Sequence, residues 1–346
     1  MKHLYLLVAL VTFSIATSGQ EITNAGDYMT AISNSHKEMD QKYMAYVSAA
    51  AHGKRARKVE KLRMQVLESI TNSKYKVADV PLYKGDNSLR QSNIDYINFC
   101  YTVFNEDYAR IVNTEEIAEQ SFDEMQAYLL LREKVDEKLK QAVEKINKAG
   151  KDFAAKYSVT LVQGSKDELD EKMEMAGKVS KYYNPVYLIF FKCNWQDNSL
   201  TKALNDKKLN DVEQSRNSII KFADEGLLAL QKINGFDGDA SLTNACKQAL
   251  QGYKDIAVKE TPKMTEYFLK KENFEKIKKS FEAKSESNKK KEDVDAYNKA
   301  VNEMNEAVNT SNQAGNNANS KRNELLKVWE STVKTFYDSY TPRYKG

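Results

Sequence analysis

The chain has 346 residues, with 53 basic and 49 acidic side chains and a formal net charge of +4, a balance that excludes a committed polyanion binder and gives no support to a nucleic-acid role. Thirteen Gly and four Pro are few for this length, while Lys, Glu, Ala, Leu, Gln and Met are plentiful, so the composition favours long helices. The length allows two ordinary domains or one elongated helical body.

Lys2 precedes an apolar segment from Leu4 to Ile15, and small residues follow at Ala16, Ser18 and Gly19. That is the order of a secretory signal peptide, covering residues 1–19 and cleaved near Ser18 to Gln20. The apolar segment is too short to cross a bilayer, which takes roughly 20 residues as a helix, and no Cys follows it to carry a lipid.

Beyond the signal, 21–53 is expected to be one helix, with Met29, Ile32, His36, Met39, Tyr43, Tyr46 and Val47 at three- and four-residue steps. The basic run Lys54 to Lys58 is a solvated bend or helix start. A helix follows to about Asn72, and Pro81 breaks the pattern. Gly85 then supplies unusual backbone angles, and Ser88 with Gln91 three places on has the form of a capping box. The helix from Leu89 to about Val112 should be largely buried, ending near Asn113 and Thr114. Another starts on Glu115 and Glu116 and carries an apolar seam from Tyr128 to Phe153. These helices make a bundle over residues 21–158.

Residues Val159 to Ser165, with Gly164, form the link to a second bundle over 166–340. Asn184 and Pro185 are placed as the cap and first residue of a helix. The run from Val186 to Trp195 is the most apolar of the mature chain, yet too short to span a membrane. Its rings Tyr187, Phe191 and Trp195 are either core or the wall of a small-ligand pocket between the halves.

Gly238-Asp239-Ala240-Ser241-Leu242 then repeats Gly85-Asp86-Asn87-Ser88-Leu89 at an offset of 153, with Ser241 placed as a cap like Ser88. At the same offset Arg63 meets Arg216, and Val66, Val77, Val80 and Tyr83 meet Ile219, Leu230, Ile233 and Phe236. Ala127-Tyr128 and Ala296-Tyr297 match at 169 instead, so sixteen residues have been added between about 260 and 295. A lengthened hairpin over about 265–295 accounts for them. From Lys270 to Lys291 it holds nine Lys and four Glu, including Lys270, Lys271, Lys278, Lys279, Lys289, Lys290 and Lys291. Those lysines are either solvating or a contact for an acidic partner surface. The Asn-rich stretch Asn309 to Asn319, with Gly315, should weaken the last helix.

Cys100, Cys193 and Cys246 are an odd number. Buried thiols are the plain reading, and a pair bridging the halves the sharper one. Only His36 and His52 remain after signal removal, so no zinc motif assembles, and Glu116 with Glu119 lacks the His of a di-iron bundle. Asp237 to Ser241 opens like a calcium loop but has Leu242 and Gln248 where Gly and Glu are required. There is no phosphate loop, nucleophile elbow or Cys-x-x-Cys. No catalytic residue, metal or cofactor is expected.

The stretch Pro81 to Arg90, with Asn105-Glu106-Asp107-Tyr108 and Glu115 to Ser121, resembles exported helical surface proteins of Bacteroidetes and spirochaetes. The resemblance covers about forty positions of the first half and implies an envelope location, a helical fold and no known activity. The expectation is an all-α protein of two tandem, duplicated antiparallel bundles. It would be exported to the periplasm or cell surface and non-enzymatic, and it would bind or scaffold a protein or envelope component.

Overall fold

The computed structural model of the chain describes residues 22–52, 56–161, 168–341 and 343–344. Residues 1–19, expected to be a signal peptide, and Gly164 lie outside the described residues. Among the described residues eleven α-helices follow one another: α1 Ala25–Asn34, α2 Lys37–Ala51, α3 Ala56–Asp79, α4 Ser88–Thr102, α5 Tyr108–Ala118, α6 Phe122–Lys156, α7 Glu168–Asn205, α8 Leu209–Leu230, α9 Ser241–Asp255, α10 Thr261–Glu282 and α11 Lys291–Tyr340. Five-residue π turns, Val103–Asp107 and Ile256–Glu260, join α4 to α5 and α9 to α10. Among the described residues there is no strand, only the isolated bridges Tyr83–Asp86 and Phe236–Asp239. The fold is an all-α helical bundle, and no helix among the described residues is long and apolar enough to cross a membrane.

Packing divides the chain into two units. Unit 1 holds the described residues as far as Asn184 and those from Lys334 onward; unit 2 is Pro185–Val333. In unit 1, Val66, Ile70 and Val77 of α3 face Ile97, Cys100, Val103 and Phe104, with Val135, Val143 and Ile146 of α6 closing the core. Burying each such side chain stabilises by about 1.5–3 kcal/mol. A second cluster, Tyr28, Ile32, Val80, Leu89 and Phe153, seats α1 at the end of the bundle. In unit 2, Val212, Ile219 and Ala223 of α8 and Leu242, Leu250 and Tyr253 of α9 are buried, as are Val186, Phe190 and Leu200 of α7. The Phe190 ring stacks on Trp329 of α11 at 4.2 Å.

Five boundaries differ from those the sequence predicts. α3 runs on to Asp79, past the end expected near Asn72, where Val77 is fully buried in the core. The first helix is broken at Ser35 and His36, whose amides turn back to the Ile32 and Ser33 carbonyls while the Ser35 hydroxyl donates to Ala31. The next break falls at Glu119 to Ser121, not at Asn113 and Thr114. Ser121 Oγ accepts the Glu124 amide at 3.1 Å, and Asp123 and Glu124 fill the first turn of α6. Pro185 lies inside α7 instead of starting a helix. Its missing N–H and its ring cost one turn its hydrogen bond, but the chain on either side, Val179 and Val186, is fully buried and holds helical geometry. Finally, the Asn-rich stretch does not interrupt α11. Ala314 and Ala318, one turn apart within it, are buried, and that packing outweighs the weak propensity around them.

Several features recur 153 residues apart. The turn Tyr83 to Asp86 has positive φ at Lys84 (51°) and Gly85 (78°), and Phe236 to Asp239 has it at Asp237 (48°) and Gly238 (88°). Two adjacent positive-φ residues are the mark of a type I′ turn, which Gly occupies without strain. The turn closes through Asp86 N–H to Tyr83 O at 2.9 Å, and through Asp239 N–H to Phe236 O at 2.8 Å. Arg63 Nη1 donates to the carbonyl of Phe104 at 2.7 Å, and Arg216 Nε to that of Ala257 at 2.9 Å. Both acceptors lie in the π turns, whose wider coil leaves carbonyls without their usual partner. Glu60 and Glu213, one turn before each arginine, hold the guanidinium in place.

Two sets of glycines test this backbone reading. Gly85→Ala and Gly238→Ala should each lower stability by about 1–2 kcal/mol, because Ala resists positive φ. Gly150→Ala and Gly315→Ala sit in helices with open space around the added Cβ, and should raise stability by about 0.5–1 kcal/mol. Denaturant midpoints of the four variants check both signs.

Candidate functional site

Ser88 and Ser241 do not cap their helices. Each is the first helical residue, and the preceding Asn87 and Ala240 make no side-chain cap. The capping oxygens come from Asp86 and Asp239, whose Oδ1 atoms accept the amides of Ser88 and Ser241, both at 2.7 Å. The I′ turn swings each aspartate two residues ahead of the helix, the geometry of an Asx turn. Gln91 bonds Asp95 instead of completing a capping box. Gly85 and Gly238 keep the role expected of them as turn formers. In unit 1 the aspartate is tied further: Lys156 Nζ reaches Asp86 Oδ2 at 2.8 Å and the Tyr157 hydroxyl donates to it at 3.0 Å. Lys156 first, then the Ser88 amide and hydroxyl, hold its carboxyl well below the usual carboxylate range.

With the shared frame in place, the residues that differ stand out. In unit 1 the α3–α4 contact carries Ser73 and Asn93, both buried, and His36 stacks on Tyr96 at 5.8 Å. Among the described residues, Ser73 Oγ, Asn93 Oδ1 and His36 Nε2 find no hydrogen-bond partner. The positions 153 residues on are Gly226 and Cys246, and the unit 2 interior there is apolar and tight. A Cβ on Gly226 would come within 2.8 Å of Leu250 and 2.9 Å of Ile189. Burial, opposed by the Asn93 side chain, pulls the His36 pKa down to about 4.

The three cysteines are free and buried, so the expected alternative of a bridging pair is not formed. Burial pushes Cys100 and Cys193 up to about 12 and Cys246 higher still, which keeps them as unreactive thiols at neutral pH. Among the described residues no group of three or more His, Cys, Asp or Glu side chains is placed to hold a metal ion. Asp197 is occupied by a bidentate pair with Arg322, at 2.6 and 2.9 Å, inside unit 2. Tyr187, Phe191 and Trp195 follow one another at one-turn intervals along α7 within unit 2. Phe191 is buried, the other two are half-buried, and the Tyr187 and Phe191 rings meet at 5.9 Å.

The hairpin of α10 and α11 is the remaining difference. Tyr297 stacks on Phe281 at 4.6 Å and meets Phe274 at 6.1 Å, so the two arms run antiparallel against each other. Lys270 pairs with Glu303 at 2.8 Å and Lys284 with Asp293 at 2.6 Å across the arms. Lys289 lies over the Phe281 ring and contacts Glu286. Lys271, Lys278, Lys279, Lys290 and Lys291 make no ion pair among the described residues. The lysine excess expected of this tip is offset by the returning arm. From Lys270 to Glu306 there are ten lysines and nine carboxylates. Sequence reasoning over one arm missed that balance; folding the second arm back supplies it.

No family model matches the chain, and comparisons with curated proteins and with solved structures return no match.

The buried histidine gives a pH signature. Unfolded, His36 takes up its proton near pH 6.5; folded, near pH 4. Its contribution is therefore complete above pH 6.5 and is lost as the pH falls, about 2 kcal/mol of it between pH 6.5 and 5. Urea unfolding across that window should show the slope in the natural chain and a flatter one in His36→Gln.

Proposed function

We propose that the chain is an exported, non-enzymatic helical protein of the cell envelope, in the periplasm or at the surface. On this reading it binds or scaffolds another macromolecule, and its two units are copies of one ancestral helical unit. The shared spacing of turns, π turns and arginine contacts supports the common origin. Export rests on the signal-like order of residues 1–19.

The observation that carries the binding role is the hairpin. Up to the start of α10 the spacing between units is 153; at the start of α11 it is 169, as Phe122 and Lys291 show. The sixteen extra residues lengthen the first arm from the 11 residues of α5 to the 22 of α10, about 16 Å of added helix at 1.5 Å per residue. Only Thr261, Met264 and Ala300 are buried among the residues of the two arms from Thr261 to Asn309. Residues that neither complete the core nor shorten a connection are accounted for by contact with something outside the unit.

Removing residues 272–287 restores the spacing of unit 1 and tests the role. Helicity and thermal midpoint should stay close to those of the natural chain, while affinity recovery of envelope components by the tagged protein should drop sharply. Recovery equal to that of the natural chain would sink the proposal.

A further inference from the structure

We propose that the α10–α11 hairpin is covered by the same hairpin of a second copy of this chain, in a two-fold pairing that lays α10 of each along α11 of the other. The inference rests on the reading of the hairpin as the binding element and names its occupant. Three observations lead to it.

The first is charge. From Lys270 to Glu282 the outgoing arm carries five lysines and three glutamates; from Lys291 to Glu306 the returning arm carries two lysines and five carboxylates. One arm is positive and the other negative. A partner bearing a single sign would be attracted by one arm and repelled by its neighbour. A second copy related by a two-fold axis presents the opposite sign to both arms at once, since a residue pair made in one direction is repeated in the other.

The second is that the complementary charges remain available. Lys271, Lys278 and Lys279 on α10, and Glu292, Asp295 and Glu306 on α11, enter no ion pair among the described residues. The cross-arm pairs that hold the hairpin itself together, Lys270 with Glu303 and Lys284 with Asp293, use other side chains.

The third is the apolar surface. Phe268, Phe274, Ile277, Phe281, Tyr297 and Met304 are all only half-buried. Leu269 is 58% exposed and Val294 39%. Met125, which stands 169 residues before Val294, is 3% exposed in unit 1. The place that is covered in unit 1 is open in unit 2, and two hairpins side by side close it as a four-helix seam.

Sedimentation of the full chain over a wide concentration range tests the pairing. The natural chain should pass from monomer to dimer, and added salt should weaken the dimer. Lys271→Glu/Lys278→Glu/Lys279→Glu should raise the dimer dissociation constant about tenfold or more. Glu292→Lys/Asp295→Lys/Glu306→Lys should do the same, and an equimolar mixture of the two variants should recover a heterodimer. Circular dichroism confirms that each variant is folded; removal of residues 272–287 provides a second route to the monomer. A natural chain that stays monomeric at every concentration overturns the inference, as does a folded triple variant that associates like the natural chain. Monomeric behaviour together with lost envelope recovery on removal of 272–287 overturns the second copy alone and leaves the binding role of the hairpin standing.

Discussion

A buried carbonyl freed by a π turn has to find a donor, and in both units the donor is an arginine from the preceding long helix. Arg63 reaches Phe104 and Arg216 reaches Ala257, each steadied by a glutamate one turn back. Leaving such a carbonyl without a partner would cost about 1–3 kcal/mol. At the far end of the same helix pair, the I′ turn is locked by an aspartate on the first free amide of the next helix. The two devices fix where α4 lies on α3 and where α9 lies on α8. The faces presented to the core follow from that register.

The same frame is filled differently in the two units. Around Ser73, Asn93 and His36, unit 1 keeps polar groups inside its core, whereas Gly226 and Cys246 let unit 2 close tightly on Leu250 and Ile189. Buried polar atoms without hydrogen bonds weigh against stability. Unit 2 carries its polarity elsewhere, in the Asp197–Arg322 pair and the Tyr253 hydroxyl on Asn194. It also carries the long hairpin.

Much of the helical layout was legible because apolar residues recur at three- and four-residue steps and because Gly85, Gly238 and Pro81 punctuate them. The offset of 153 marks the turns and Arg63 and Arg216 in the sequence itself. What those arginines bind was not legible, since π turns carry no local sequence mark. Spacing points to Ser88 and Ser241 as caps, whereas the acceptor is the aspartate two residues earlier, because a positive-φ turn changes which side chain faces the helix end. Pro185 and the Asn-rich part of α11 were read by propensity, and tertiary packing overrode it. The charge balance of the hairpin is not legible from Lys270 to Lys291 alone, which is one arm and its tip; the carboxylates that offset it arrive with Glu292 to Glu306.

On the proposed function, contact with other molecules is concentrated on the α10–α11 hairpin. Site-specific photocrosslinking in cells that produce the protein tests this most directly, with a photoreactive side chain placed in turn at Leu269, Val294, Tyr75 and Leu228, all exposed large apolar positions. The account predicts crosslinked products from Leu269 and Val294 and none from Tyr75 or Leu228. Products from Tyr75 or Leu228 with none from the hairpin positions would contradict it.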